Sequence, residues 1–231
     1  MLGVASTWGA RLRAVPRRVR QSAVHAQTDA STAAALWRPD LPALRRAGWA
    51  LPSADAASKL GRALARVSKP GDVILLAGEV GMGKSTLARG FLKEVTRDDQ
   101  LVVSSPSYLL DITYPDPDGE GLVPGATIHH MDLWRLAIEQ ISALVDLPAA
   151  YRQDVCLIEW PDRLGRAAPI AANCLLIEIG QVESSSPAEG GSGAAVEEED
   201  DDEDEDEERT ATMSTYGEGW SARIKEIMAE P

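Results

Sequence analysis

The chain has 231 residues, of which 44% are hydrophobic, so it can build the core of one ordinary domain with appendages. It contains no run of about 18 apolar residues that could span a membrane, and its two cysteines lie in apolar runs without disulfide or zinc spacing. The net charge of −13 comes mainly from the acidic run Glu197–Glu208. Residues 51–183 are themselves mildly acidic, so this region is a poor docking surface for nucleic acid by itself.

The N-terminal region is rich in arginine. Residues 1–28 contain five arginines, several serines and alanines, and no acidic residue, which is typical of a transit peptide. We therefore predict import into a chloroplast or a mitochondrion, and the composition does not choose between them. A basic tail without a targeting role is the alternative. Residues 29–50 are predicted to be a linker, so that the folded domain spans residues 51–231.

A phosphate-binding loop dominates the next segment. Ser53 is predicted to cap a helix that runs to about residue 67, and the apolar run 73–77 predicts a buried strand. The sequence GEVGMGKS at 78–85 follows directly and fits the pattern G-x-x-x-x-G-K-[ST]. A second helix is predicted from 84 to about 96. Strand, loop and helix in this order are the setting that a phosphate loop requires.

The residue types of this loop suit a nucleoside triphosphate. Glycines at 78, 81 and 83 let backbone N–H groups turn toward phosphate oxygens, and Lys84 can reach the β and γ phosphates. Ser85 supplies a hydroxyl for Mg²⁺. The loop therefore predicts binding of a nucleotide together with magnesium.

The remaining elements are short and alternate between strands and helices. Strands are predicted at 101–103, 127–131, 155–158, 175–179 and 209–216; helices at 138–145 and 220–228; and a loop at 114–125. The strands at 175–179 and 209–216 could pair as a hairpin, with 184–208 as a disordered acidic insertion at its tip. Together these elements predict a single α/β domain, with a P-loop NTPase-like central β-sheet flanked by helices.

Two carboxylates are predicted at the edge of this sheet. Glu159 ends an apolar strand, where phosphate-loop ATPases place the acid that serves metal or water, and Asp132 follows the strand 127–131. The spacing does not decide which acid holds Mg²⁺. His129 and His130 favour a structural role, because consecutive strand residues point to opposite faces. The hydroxyl-rich turn that contains Ser105 and Ser107 occupies the position of a switch loop.

Several classes of phosphate-loop protein compete for this sequence. A GTPase is excluded, because Asn173 is the sole asparagine and a guanine-reading Asn-Lys-x-Asp is absent. A small-molecule kinase remains open, although the arginines are too dispersed to indicate a lid. An interaction switch, in which ATP only fixes a binding surface, is the third possibility.

Four blocks in order resemble the TsaE (YjeE) family, the small ATPases needed to make N6-threonylcarbamoyladenosine in tRNA. The family patterns G-D-L-G-A-G-K-T-T, S-P-T-[YF], H-F-D-L-Y-R-L and [VI]-E-W-P stand here as GEVGMGKST (78–86), SPSY (105–108), HMDLWRL (130–136) and IEWPDR (158–163). Glu79 departs from the usual Asp and Ser107 from the more frequent Thr. The leader and the acidic insertion are absent from bacterial members.

The resemblance implies roles for individual residues. ATP would be held by Lys84, Ser85, Thr86 and the loop amides, which include those of Gly81, Met82 and Gly83. The magnesium set would be Ser85, Asp132 and Glu159, with Glu159 also activating water, and Trp160 would lie beside the site.

The resemblance also implies partners for the chain. It would act with a TsaD-type threonylcarbamoyl transferase and its TsaB-type companion, and it would contact tRNA only indirectly. No membrane is implied.

Overall fold

The apolar segment Asp72–Ala77 forms a strand inside the sheet of the computed structural model, with five of its six side chains buried. The structure describes residues 11–12, 43–106, 109–116, 119–136, 141, 145–165, 171, 173–181 and 208–229. Within these ranges no helix has the length and apolar character that a membrane crossing requires.

The described residues form eight strands and four α-helices with defined bounds. In chain order the strands are β1 (Arg11–Leu12), β2 (Arg45–Leu51), β3 (Asp72–Ala77), β4 (Asp111–Tyr114), β5 (Ile128–Asp132), β6 (Val155–Glu159), β7 (Asn173–Gln181) and β8 (Arg209–Tyr216). The helices are α1 (Ala54–Val67), α2 (Lys84–Val95), α3 (Leu147–Gln153) and α4 (Glu218–Ala229), and a 3-10 turn spans Pro161–Leu164.

The strands form one mixed sheet in the order β1-β4-β5-β6-β3-β7-β8-β2. The neighbours β5, β6, β3 and β7 are parallel, whereas β4, β8, β2 and β1 pair in antiparallel fashion. Because parallel strands point the same way, the carboxyl ends of β3, β5 and β6 lie at one edge of the sheet. The prediction of a single α/β domain with a central sheet flanked by helices is confirmed.

Helices cover both faces of the sheet. On one face, Leu64 of α1 and Phe91 of α2 pack with Trp220 of α4 in the larger apolar cluster. On the other face, Tyr151 of α3 packs against Leu75 and other side chains of the parallel strands. The predicted cap of α1 is present, because Ser53 Oγ accepts a hydrogen bond of 3.2 Å from the amide of Ala56.

The structure corrects three expectations about strands. Part of the predicted linker 29–50 is strand β2, whose side chains alternate between half-buried and exposed before Leu51 closes the pattern. The segment 101–103 is not a strand: Leu101 and Val103 pack against the core while Val102 is exposed, and the amide of Leu101 bonds within a turn. Strand β4 was not predicted, and it includes Tyr114, the first residue of the predicted loop 114–125.

The predicted hairpin is confirmed, because β7 and β8 pair in antiparallel register from Cys174↔Tyr216 to Gln181↔Arg209. The acidic insertion 184–208, apart from Glu208, lies outside the described residues, as does most of the predicted helix 138–145. Of the predicted leader 1–28, only the two residues of β1 are described. The leader and the insertion therefore stay predictions.

Candidate functional site

The phosphate loop joins the end of β3 to the start of α2 and uses three glycines with positive φ. Gly78 has φ of 138°, and a Cβ at this position would lie 2.3 Å from the carbonyl oxygen of Ile179 on β7. Gly83, with φ of 102°, is the N-cap of α2. These conformations are open to glycine and strained for other residues, so the tight path of the loop depends on them.

The first turn of α2 faces a cleft of about 320 Å³ at the carboxyl edge of the sheet. The amide groups at the start of a helix have no partner within the helix and carry partial positive charge, which favours an anion. Gly81, Gly83 and Thr86 line this cleft. The loop and the first turn of α2 therefore form an anion-binding surface.

Lys84 lies at the centre of this surface and is 5% exposed. Its ammonium group donates hydrogen bonds of 2.7 Å to the carbonyl oxygens of Gly78 and Glu79 and lies 3.9 Å from the centroid of the Trp160 ring. Burial lowers the pKa of Lys84, and the nearby carboxylates of Glu159 and Asp132 oppose that shift. The ammonium group of Lys84 is thus fixed at a position where it can neutralise phosphate charge.

Glu159 connects two elements of the site through its two carboxylate oxygens. Ser85 Oγ donates a 2.9 Å hydrogen bond to Oε2, and His130 Nε2 lies 3.0 Å from Oε1. Glu159 is 2% exposed and ends strand β6, next to β3 at the register pair Leu76↔Glu159. A carboxylate with both oxygens bonded in a buried position has a fixed orientation toward the cleft.

Asp132 lies beside Glu159, because the two residues are directly paired across the parallel strands β5 and β6. Its Oδ1 accepts a hydrogen bond of 2.9 Å from the amide of Trp134, and its side chain lines the cleft. The two predicted edge carboxylates and Ser85 therefore meet at one wall of the cleft.

This donor set fits magnesium. Mg²⁺ prefers oxygen ligands and often takes only one or two from protein, with phosphate and water completing the coordination. Among the described residues no three His, Cys, Asp or Glu side chains cluster as a metal site. The fit therefore rests on the hydroxyl of Ser85 and the carboxylates of Asp132 and Glu159.

Two tryptophans close one side of the cleft. The rings of Trp134 and Trp160 have centroids 4.2 Å apart and are tilted by 42°, and the guanidinium carbon of Arg163 lies 5.5 Å from the Trp134 centroid. Trp160 has φ of 60°, an uncommon conformation for a large residue. This turn places its ring over Lys84 rather than along the strand.

The other predicted residues contribute less to the cleft. The side chain of Met82 packs against the core, and its amide donates to the carbonyl oxygen of Glu79 at 3.4 Å. Ser105 is exposed and does not line the described cleft, while Ser107 lies outside the described residues. A role for this turn stays a prediction.

Sequence reasoning missed three residues of the site. Trp134 and Val80 line the cleft, and His130 supports Glu159 from within the sheet. A signal for His130 was present in the alternation of β5, because His130 and Asp132 share a strand face. The shared face indicates a role in the site only when the register of β5 with β6 is known, because that register places Glu159 beside Asp132.

The chain matches known proteins over the region that contains this site. The profile of the family described as "Threonylcarbamoyl adenosine biosynthesis protein TsaE" matches residues 51–187. A Bacillus subtilis protein named tRNA threonylcarbamoyladenosine biosynthesis protein TsaE is 29% identical over 128 residues, which cover 54% of this chain and 73% of the relative. A Streptomyces coelicolor protein of the same name is 25% identical over 173 residues, covering 74% and 98%.

The fold has a counterpart among solved structures. The crystal structure of Bacillus subtilis YdiB aligns with a TM-score of 0.54 at 22% identity and covers 80% of this chain and 95% of the other. At this level of identity the likeness concerns the fold alone.

Proposed function

The chain belongs to the TsaE family, and from this premise we propose that it is a magnesium-dependent ATPase that serves threonylcarbamoyladenosine formation in tRNA. The relatives named above are tRNA threonylcarbamoyladenosine biosynthesis proteins, which supports a role for this chain in the same pathway. The proposal includes hydrolysis of ATP by this chain itself.

The observation that carries the proposal is the meeting of a phosphate loop with Ser85, Asp132 and Glu159 at one cleft. The loop amides and Lys84 would bind the phosphates of ATP. Bound Mg²⁺ would neutralise the charge of the phosphates during hydrolysis. Glu159 is buried, oriented by two hydrogen bonds and open to the cleft, so it is suited to accept a hydrogen bond from an attacking water.

We further propose that the chain acts with a TsaD-type transferase and a TsaB-type companion rather than on tRNA directly. Family membership supports the partners, and the composition supports the indirect contact with tRNA, because residues 51–231 are acidic overall. The arginine-rich composition of residues 1–28 supports import into a chloroplast or a mitochondrion.

The test is mass spectrometry of nucleosides from organellar and cytosolic tRNA, purified separately after depletion of the protein. We expect threonylcarbamoyladenosine to fall in organellar tRNA alone and to return with the wild-type chain but not with Lys84→Ala. Lys59→Ala is the matched lysine control, since Lys59 pairs with Asp55 on the exposed surface. Unchanged modification in both pools would contradict the proposal.

Hydrolysis is tested separately with Glu159→Gln. If turnover drives the function, this variant binds ATP and fails to restore the modification. Full rescue by Glu159→Gln would favour an interaction switch, whereas ADP release that depends on a small-molecule acceptor would favour a kinase.

A further inference from the structure

His130 lies directly behind the carboxylate that faces the cleft. Its Nε2 is 3.0 Å from Oε1 of Glu159, and the residues are 1% and 2% exposed, so water does not compete for this contact. Ser85 bonds the other oxygen, Oε2. One oxygen of Glu159 is therefore held from inside the sheet and the other from the phosphate-loop helix.

The surroundings of the ring identify the donor. A carboxylate oxygen of Glu159 accepts the hydrogen bond at this contact, so the hydrogen between the two groups lies on Nε2 of the ring. In the described part of the structure the other ring nitrogen, Nδ1, is buried and has no hydrogen-bond partner. The arrangement thus has the imidazole donating one hydrogen bond, and that bond goes to Glu159.

The adjacent histidine shows that this contact is specific. His129 points to the opposite face of β5, where its Nδ1 lies 2.8 Å from Asp111 Oδ2 and its Nε2 lies 3.5 Å from Asp154 Oδ2. Neither of these two aspartates lines the cleft. The two rings have similar chemistry but serve different faces of the sheet.

We propose that His130 is a positioning residue that fixes the orientation of the Glu159 carboxylate for magnesium and nucleotide. This inference rests on the proposed ATP site. His130 holds Oε1 of Glu159, so that the other oxygen, Oε2, is presented to the cleft beside Ser85. The ring itself does not touch the nucleotide in this assignment and acts only through Glu159.

The test compares His130→Leu, which removes the donor, with His130→Gln, which keeps an N–H group on a side chain of similar reach. His129→Leu is the matched control on the opposite face. For each folded variant, ATP affinity is measured by calorimetry with Mg²⁺ and with EDTA, and the ratio of the two affinities gives the magnesium gain. ATP turnover and thermal unfolding are measured on the same samples.

We expect His130→Leu to lower the magnesium gain and the turnover by about 10- to 100-fold, because a hydrogen bond to a charged group is lost. Its affinity for ATP in EDTA should stay at the wild-type value, His130→Gln should restore most of the loss, and His129→Leu should keep both quantities. A magnesium gain equal to wild type in folded His130→Leu, or no rescue by His130→Gln, would overturn the inference. A wild-type chain that binds Mg-ATP without hydrolysing it would refute the ATPase proposal, while the magnesium gain would still decide the role of His130.

Discussion

The hydroxyl of Ser85 donates a hydrogen bond of 2.9 Å to Oε2 of Glu159, although the residues are 74 positions apart in the chain. The contact joins the first turn of α2 to the end of β6. No local pattern in the sequence predicts that these two elements meet. The contact makes the phosphate loop and the acidic edge of the sheet one site.

Removal of this hydroxyl should have two effects. Ser85→Ala leaves Oε2 of a buried carboxylate without its partner. We therefore expect the free energy of unfolding, measured in urea, to fall by about 1–3 kcal/mol. The magnesium gain in ATP affinity should also fall, because an oxygen donor is lost. Ser85→Thr keeps the hydroxyl and should retain most of the gain; equal behaviour of the two variants would contradict this role for Ser85.

Two glycines of the loop should respond very differently to alanine. In Gly78→Ala the new Cβ would overlap the Ile179 carbonyl oxygen at 2.3 Å, whereas at Gly81 no atom lies within 4 Å. Gly81→Ala should therefore show only the strain of its positive φ, about 1–2 kcal/mol. Gly78→Ala should destabilise the chain clearly more, because backbone on β7 must shift. Thermal unfolding checks this order, and equal losses would contradict it.

The parts of the fold that sequence predicted best are those with local chemistry. The phosphate loop, its strand and its helix follow from consecutive residues, and Glu159 follows from the end of an apolar run. Strand β2 was not predicted, because its sequence includes two arginines and a glycine and contains few large apolar residues. A strand of this kind is stabilised by pairing with β8, which lies far along the chain.

The role of His130 could not be predicted for a related reason. Its partner is fixed by the register of β5 against β6, where Leu157 lies opposite His130 and Glu159 lies opposite Asp132. The sequence indicates that His129 and His130 face opposite ways, but it does not say which side of the sheet carries the phosphate loop. Only the packed sheet assigns one histidine to the site and the other to the opposite face.

The last helix should depend strongly on one buried ion pair. Arg223 of α4 donates to both carboxylate oxygens of Asp72 at the start of β3, with Nη2 2.8 Å from Oδ1, and also to the carbonyl oxygen of Val67. Asp72 is 1% exposed, so Arg223→Met would leave a buried charge without its main partner. We expect a loss of about 3–5 kcal/mol in the free energy of unfolding.

Chemical denaturation measures this loss, with Lys59→Ala as the control. The pair between Lys59 and Asp55 has side chains that are 72% and 71% exposed, so its removal should change stability by less than about 1 kcal/mol. Losses of similar size in the two variants would show that burial does not decide the strength of the pair between Arg223 and Asp72.

His129 should give the chain a specific dependence of stability on pH. Burial of its ring lowers the pKa, but the hydrogen bond to Asp111 and the charges of Asp111 and Asp154 outweigh burial and raise the pKa above its ordinary 6.5. A group whose pKa is raised by folding stabilises the folded chain fully below its unfolded pKa, and this contribution is lost as the pH rises through the folded value. The free energy of unfolding should therefore fall from pH 6.5 upward in the wild type, relative to His129→Gln. Urea unfolding of both proteins at about pH 6 and about pH 8 tests the sign, because Gln does not titrate in this range. A stability difference that stays constant or grows in favour of the wild type at the higher pH would show that His129 is not held as a cation by its two carboxylates.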